Sequence, residues 1–384
     1  MKNGKTIIAG TACAVVGACL FLTLPLYIGS LIDYVGYTNE QAGRLASIEL
    51  LGMAVVSFSS YWWINRLNIR TTALLSLILM SIANAICMFV IEYWLFASLR
   101  FVSGVAEATV LILTLSVFGS LSNKERAVAI MVSAQVLYQM IALKALSGFP
   151  PEQTYFAILA ILAFFPVIII PLVWNWLPEY SMKDGKKTNA ISGRHGLANA
   201  WVPLLGLFAT MLYFTNIGAI WGFIQRIGLS EGLTAEYVGD VLALSLVISI
   251  GGALLAAWIG DRFKNITPII IATITQAIAI LILMGDVSSL TFAIAVILYN
   301  VGWNFILPYQ LSAIANIDLA GRFVVVIVGF QAVGDAMGAW GAGLMGDIGG
   351  FSVVYPLVLF LLIVSGLLFV PVCRQYHPAL VMDT

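Results

Sequence analysis

The chain has 384 residues, 61% of them hydrophobic and 9% charged, with basic and acidic residues in equal number. Average usage is about 25% charged residues, so this composition excludes a domain that keeps its whole surface wet, and with no net charge no nucleic-acid partner is expected. The solvent for most of this chain is lipid.

In chain order, apolar runs recur at 7–31, 41–64, 71–90, 94–120, 127–148, 155–177, 201–225, 236–258, 267–285, 290–316, 323–346 and 351–372. Each is close to or above the ~20 residues that cross a hydrocarbon core as a helix, and several are long enough to tilt. The first run follows Lys2 and Lys5 and has small residues near Ala18-Cys19, which imitates a secretory leader. It continues through Leu24-Pro25-Leu26-Tyr27 to Leu31, beyond the apolar core of a leader, and is expected to remain as the first helix.

Basic residues set the orientation. With the N-terminus cytoplasmic, Lys2, Lys5, Arg66, Arg70, Lys124, Arg126, Lys183, Lys186, Lys187, Arg194, Arg262, Lys264, Arg322 and Arg374 share that side, 14 of the 18. The opposite loops carry Asp33, Glu40, Glu92, Glu152, Glu231, Glu236 and Asp286. An inner-membrane protein with both termini cytoplasmic follows. The longest polar break, with Lys183, Lys186, Lys187, Arg194 and His195, reads as a solvated linker at 178–199 between residues 1–177 and 200–384. It has no phosphate-cradling glycine loop, so ATP is not expected to drive anything. Cys13, Cys19, Cys87 and Cys373 show no paired spacing and read as packing residues.

The chain also repeats itself. Gly43 stands 22 residues before Asn65-Arg66, Gly239 stands 22 before Asp261-Arg262, and the two sets lie 196 apart, as do Arg126 and Arg322. A half-length duplication in a polytopic chain points to parallel repeats, a common plan of secondary transporters.

Twelve spans in two halves, a central loop, and charged turns after spans two, four, eight and ten resemble the major facilitator superfamily over essentially the whole chain. The resemblance implies an all-α membrane protein of two pseudo-symmetric six-helix bundles, without cofactor or metal and not an enzyme, with a monomer sufficing for function. Its glycine-to-Asp-Arg turn is kept at Asp261-Arg262-Phe263-Lys264 and altered at Asn65-Arg66-Leu67-Asn68-Ile69-Arg70, where Asn replaces Asp. The family role of this turn is a conformational latch, here weaker in the first half. Arg100-Phe101-Val102-Ser103-Gly104 on helix four is similar to a family pattern linked to proton coupling, whereas the glycine-rich signature of antiporters is missing from helix five.

Buried charge marks the candidate site, because an ionised group in hydrocarbon costs several kcal/mol unless paired or hydrated. Arg100 and Glu107 lie i and i+7 on one face of helix four, about 10 Å apart along the axis, where they could share a wet cavity. Glu49 on helix two and Asp335 in mid-span complete a set of three acids able to take the coupling proton, since apolar surroundings disfavour a carboxylate. For Asp335 the alternative is a fixed ion pair with Lys144 or Arg100. Gln135 and Gln139 on helix five map at 196 onto Gln331 and Asp335 on helix eleven, giving matched polar faces expected to line a central cavity with Tyr138. Asn300, Trp303 and Asn304 on helix ten, beside the kink expected at Pro308, and Asn216, Trp221 and Tyr27 add amides and aromatics. Aromatics are also ordinary packing and interface-belt residues, and that reading stands beside the site reading for each of them.

These readings converge on alternating-access transport of a small organic solute, anionic or aromatic, by proton symport, with Arg100 and Lys144 available to attract a carboxylate. Export by proton antiport and a non-transporting receptor are the alternatives. The two histidines, His195 and His377, lie outside the spans, and no nucleophile–base set appears within them.

Overall fold

The first apolar run is broken twice. Helix α1 (Lys2–Val16) stops at Gly17, α2 (Cys19–Leu22) adds a single turn, and α3 (Leu24–Asp33) restarts after Thr23. Thr23 turns its hydroxyl back onto the carbonyl of Cys19 at 2.9 Å. Pro25, in the first turn of α3, has no N–H to offer the carbonyl of Phe21 one turn earlier. The Trp221 indole N–H reaches that carbonyl instead, at 3.2 Å, from the other half of the molecule.

This computed structural model describes residues 2–179, 201–262, 266–317 and 326–374. The linker from residue 180, Lys264, Arg322, His377 and the side chain of Asp261 lie outside the described residues. Further along come α4 (Asn39–Trp63), α5 (Ile69–Cys87), α6 (Tyr93–Gly119), α7 (Lys124–Ser147), α8 (Pro151–Trp176), α9 (Trp201–Ser230), α10 (Ala235–Ile259), α11 (Ile266–Leu283), α12 (Ser289–Ala315), α13 (Ile327–Gly349) and α14 (Val354–Arg374). Ten of the described helices are long and apolar enough to cross a membrane. The broken first run and the glycine-rich α13 complete twelve spans in two six-helix bundles.

The repeat holds in the structure. Helices α4 and α10 are both 25 residues long and α6 and α12 both 27, and each pair starts 196 residues apart. Their polar caps keep the same spacing: Thr38 and Thr234 accept from the third amide of α4 and α10, and Glu92 and Ser288 cap α6 and α12. Each supplies an acceptor to an amide that a helix start leaves unpaired. Helix α13 runs three residues past the expected limit of 346, and Pro308 sits inside an unbroken α12.

The halves meet along α4 against α13, α7 against α10 and α3 against α9, and backbones touch where a side chain would not fit. A Cβ on Gly43 would strike the carbonyl of Ala339, and one on Gly239 would lie 3.2 Å from the carbonyl of Leu143, so the two crossings are equivalent under the same 196-residue repeat. Between helices in lipid, close backbone approach replaces a hydrophobic drive that the solvent cannot supply. Within the second half, α9 lies on α13 at Gly218, whose Cβ would stand 2.6 Å from the Cα of Asp335.

The end of the bundle where α1 begins and α8 ends is marked by Lys5 over the Trp176 ring at 5.8 Å. The opposite, distal end is where the halves are joined by polar contacts, among them Ser47 to the carbonyl of Ala336 at 2.6 Å and Arg226 to Asp33 at 2.6 Å. The distal end is closed.

Gly218→Val should separate α9 from α13 and cost about 1–3 kcal/mol through overpacking. A thermal-shift measurement on the purified protein in detergent checks this, with Gly4→Val, where a Cβ meets nothing within 4 Å, as the neutral control.

Candidate functional site

Arg100 on α6 is fully buried, and four helices supply what surrounds it. Its Nε donates to Glu49 Oε2 of α4 at 3.1 Å and one terminal nitrogen donates to Glu49 Oε1, a two-pronged pairing of guanidinium with carboxylate. The other terminal nitrogen donates to Asn84 Oδ1 of α5. The Tyr27 ring of α3 lies 5.5 Å from the guanidinium carbon, within cation–π range. Glu107, one face and two turns along α6, brings Oε1 to 3.9 Å from Arg100 and accepts from Ser103 at 2.9 Å. Asn84 closes the network by donating to Ser103 at 2.9 Å.

The Arg-xxx-Gly spacing gains a physical reason here. Gly104 follows Arg100 by one turn on the same face, and a Cβ there would meet the backbone and Cγ of Glu49. The glycine lets α4 come close enough for Glu49 to reach Arg100. Where the spacing suggested a shared wet cavity for Arg100 and Glu107, the structure instead buries them in a cluster with a second acid, Glu49.

Asp335 forms the other centre. It is 4% exposed, and its Oδ1 is buried without a hydrogen-bond partner among the described residues. Neither Lys144 nor Arg100 pairs with it: Arg100 is engaged as above, and Lys144 bonds Asp240 across α7 and α10. Both polar atoms of the Asn216 side chain are buried without partners, while its backbone carbonyl accepts from Tyr299 at 3.1 Å.

The remaining expected site residues divide. Trp221 and Trp303 are brought together, ring centroids 6.0 Å apart, with Phe21 set edge-on to Trp303 at 6.2 Å, so the two halves share an aromatic cluster. The Trp303 indole N–H is buried without a partner. Asn300 donates to Ser245 at 2.9 Å and keeps a free buried oxygen. Asn304 turns onto the carbonyl of Asn300 at 3.1 Å, Gln135 onto that of Ala14 at 3.0 Å, and Tyr138 packs against Phe165. These three engage their own half. Gln139 is buried and Gln331 half-buried, and the structure brings neither to the Arg100 cluster. Lys144 stands at the distal crossing, 54% exposed at its side chain.

Of the latch residues, Arg70 donates twice to the carbonyl of Leu177, at 2.9 and 2.8 Å, and pairs with Glu179 at 2.9 Å, all within its own half. Arg262 lies 4.5 Å over the Trp258 ring, and Arg66 is exposed beside Asn65. Asn84 was missed by sequence reasoning, although an amide inside the run 71–90 is itself a signal. Among the described residues no group of three metal ligands forms.

Two helical bundles closing over buried acids and amides are the build of a membrane transport protein. The chain belongs to the Major Facilitator Superfamily, whose family model matches residues 7–339. A gentisate transporter of Corynebacterium glutamicum is 22% identical over 332 residues, covering 80% of this chain and 73% of its own. Among solved structures, a D-xylose–proton symporter superposes with a TM-score of 0.82 at 13% identity over 98% of both chains. The xylose transporter of E. coli in an inward-open conformation gives 0.77 at 14% identity, over 98% of this chain and 97% of its own. The structural likenesses establish the fold.

Arg100→Gln, which leaves two acids without their cation, should destabilise the protein by about 3–5 kcal/mol. Glu107→Gln, which keeps a group able to accept from Ser103, should cost less. Unfolding midpoints of the two variants in one detergent rank them, and a larger loss for Glu107→Gln would contradict Arg100 as the centre.

Proposed function

We propose that the protein is a proton-coupled symporter carrying a small organic solute across the inner membrane by alternating access. In this reading residues 1–177 and 200–384, joined by the linker at 178–199, rock against each other about a midplane site, both termini are cytoplasmic and one copy suffices. The observation that carries it is a charge count within the spans. Among the described residues, three buried carboxyls, Glu49 and Glu107 beside Arg100 and Asp335 apart from them, are set against a single buried guanidinium. Full ionisation would leave two negative charges uncompensated, each costing several kcal/mol in hydrocarbon, and protons are the counter-charge that a membrane gradient provides. Two carboxylates sharing one cation titrate as a unit, so Glu49 and Glu107 are treated together and Asp335 separately.

Aromatic acids are the first solutes to test. The gentisate transporter relative supports that choice, as do the Phe21–Trp221–Trp303 cluster, with its partnerless Trp303 N–H, and the open amide of Asn216. Such a mix of apolar walls and a few polar groups is typical of small-molecule sites. Arg100 reaches a carboxylate solute only through its field, being held by Glu49. A proton added to the cluster therefore makes the site one charge more positive, which favours an anion and couples the two loads.

In proteoliposomes, addition of gentisate should make the external medium more alkaline as protons enter with the solute. Asp335→Asn should retain solute binding and lose that proton movement together with uphill accumulation. Protons moving against the solute would establish antiport, and solute binding without any flux would establish a receptor.

A further inference from the structure

At the distal ends of α4 and α13 the Asp347 carboxylate bridges the two helices, beside a longer contact from the Trp340 indole N–H to Glu40 Oε1 at 3.5 Å. Asp347, two residues before the end of α13, accepts on Oδ1 from the Asn39 backbone N–H at 3.0 Å and the Asn39 side-chain amide at 2.8 Å. Its Oδ2 accepts from the Glu40 backbone N–H at 2.8 Å. Asn39 and Glu40 open α4, so both amides are among those that a helix start leaves without an internal acceptor. Thr38 serves the amide of Gln41 at 3.2 Å from within its own half. The start of α4 is thus capped twice, once locally and once by the opposite half, with the carboxylate placed where the helix dipole favours it. Gly343, one turn before Asp347, leaves room for this contact, because a Cβ there would strike the backbone of Asn39.

Two ion pairs flank the same gate, Arg226 with Asp33 and Lys144 with Asp240. Both are partly exposed, and pairs of long, solvated side chains contribute little. Asp347 differs in binding backbone amides, whose positions the helix fixes, and in engaging both oxygens.

We propose that Asp347 is the principal latch of the distal gate, holding the two halves together by capping α4 from across the interface and releasing them when water takes over the cap. The proposal rests on the two-state motion of a transporter of this family and not on proton coupling, so it stands or falls separately from the symport reading. Asp347 touches neither buried acid centre. It is a positioning residue that sets how long the distal side stays closed.

The test is a distance measurement between spin labels at Phe89→Cys and Asp286→Cys, on the distal loops after α5 and α11, with Cys373 replaced by serine. Phe89 is 85% exposed, and Cys13, Cys19 and Cys87 are buried. Asp347→Ala should raise the ratio of long to short distances about tenfold, the effect of losing charge-assisted bonds to a helix start. Asp347→Asn, which keeps one acceptor oxygen, should fall between it and the parent. Gly343→Ala, which pushes α13 off α4 while retaining the carboxylate, should shift the ratio the same way. A lower melting temperature with an unchanged distance distribution in both Asp347 variants would overturn the proposal, because it would give the carboxylate a structural role only.

Discussion

A charge in hydrocarbon has to be answered by another charge or by a polar shell, and this requirement arranges much of the molecule. Four basic residues stand apart from the set assigned to the cytoplasmic side: Arg44, Arg100, Lys144 and Arg226. All four are in ion pairs, with Glu40, Glu49, Asp240 and Asp33 respectively. Three of these pairs lie towards the distal end. The fourth, Arg100, is sealed inside the first bundle, and satisfying its planar donors and its face takes Glu49, Asn84 and Tyr27 from three other helices at once. A guanidinium with fixed geometry thereby sets where α3, α4, α5 and α6 lie with respect to each other. Gly104 permits that arrangement by bringing the α4 backbone onto α6.

The duplication preserved scaffolding and let chemistry diverge. Helix lengths, caps and the Gly43 and Gly239 crossings agree between the halves, while Glu49 corresponds at 196 residues to Ser245, which takes its hydrogen bond from Asn300. The first half holds a charged cluster where the second holds a neutral one. Conversely, Gln139 in the first half corresponds to the lone acid Asp335 in the second. Each half therefore contributes a different ionisable centre, and the crossing of α4 on α13, sealed by Ser47 and Ala336, lies between them.

The scaffold was readable from the chain because hydrophobic length, positive-residue placement and turn punctuation are local signals. Gly43 and Gly239 are legible as matched punctuation of the repeat, but their place at the two crossings appears only when Ala339 and Leu143 are laid against them. Glu49, Arg100 and Glu107 were separately identifiable as costly charges, but their assembly was not, since nothing in the spacing of Arg100 and Glu107 says that Glu49 closes the bidentate pair or that Asn84 and Ser103 complete the shell. Lys144 illustrates the opposite error of inference: its place within an apolar run suggested a cavity-facing cation, while Asp240, 96 residues on, claims it at the distal crossing. Asp347 gave no local signal at all. An aspartate near a helix end reads as solvated until the first turn of a helix 308 residues earlier is laid against it.

That separation has a consequence for how the molecule is made. A ribosome feeds the first bundle into the membrane while α13 is still unsynthesised, and domains generally form as units in that order. During this interval Thr38 and Gln41 cap the start of α4 unaided, and the amides of Asn39 and Glu40 face water at the bundle's rim. Their partner carboxylate is made only 308 residues after Asn39, near the end of α13, roughly the point at which the second bundle can close. The contact between α4 and Asp347 is thus among the last that biosynthesis can form, and a nascent chain stalled before it would carry a complete first bundle whose α4 lacks its cap from the opposite half.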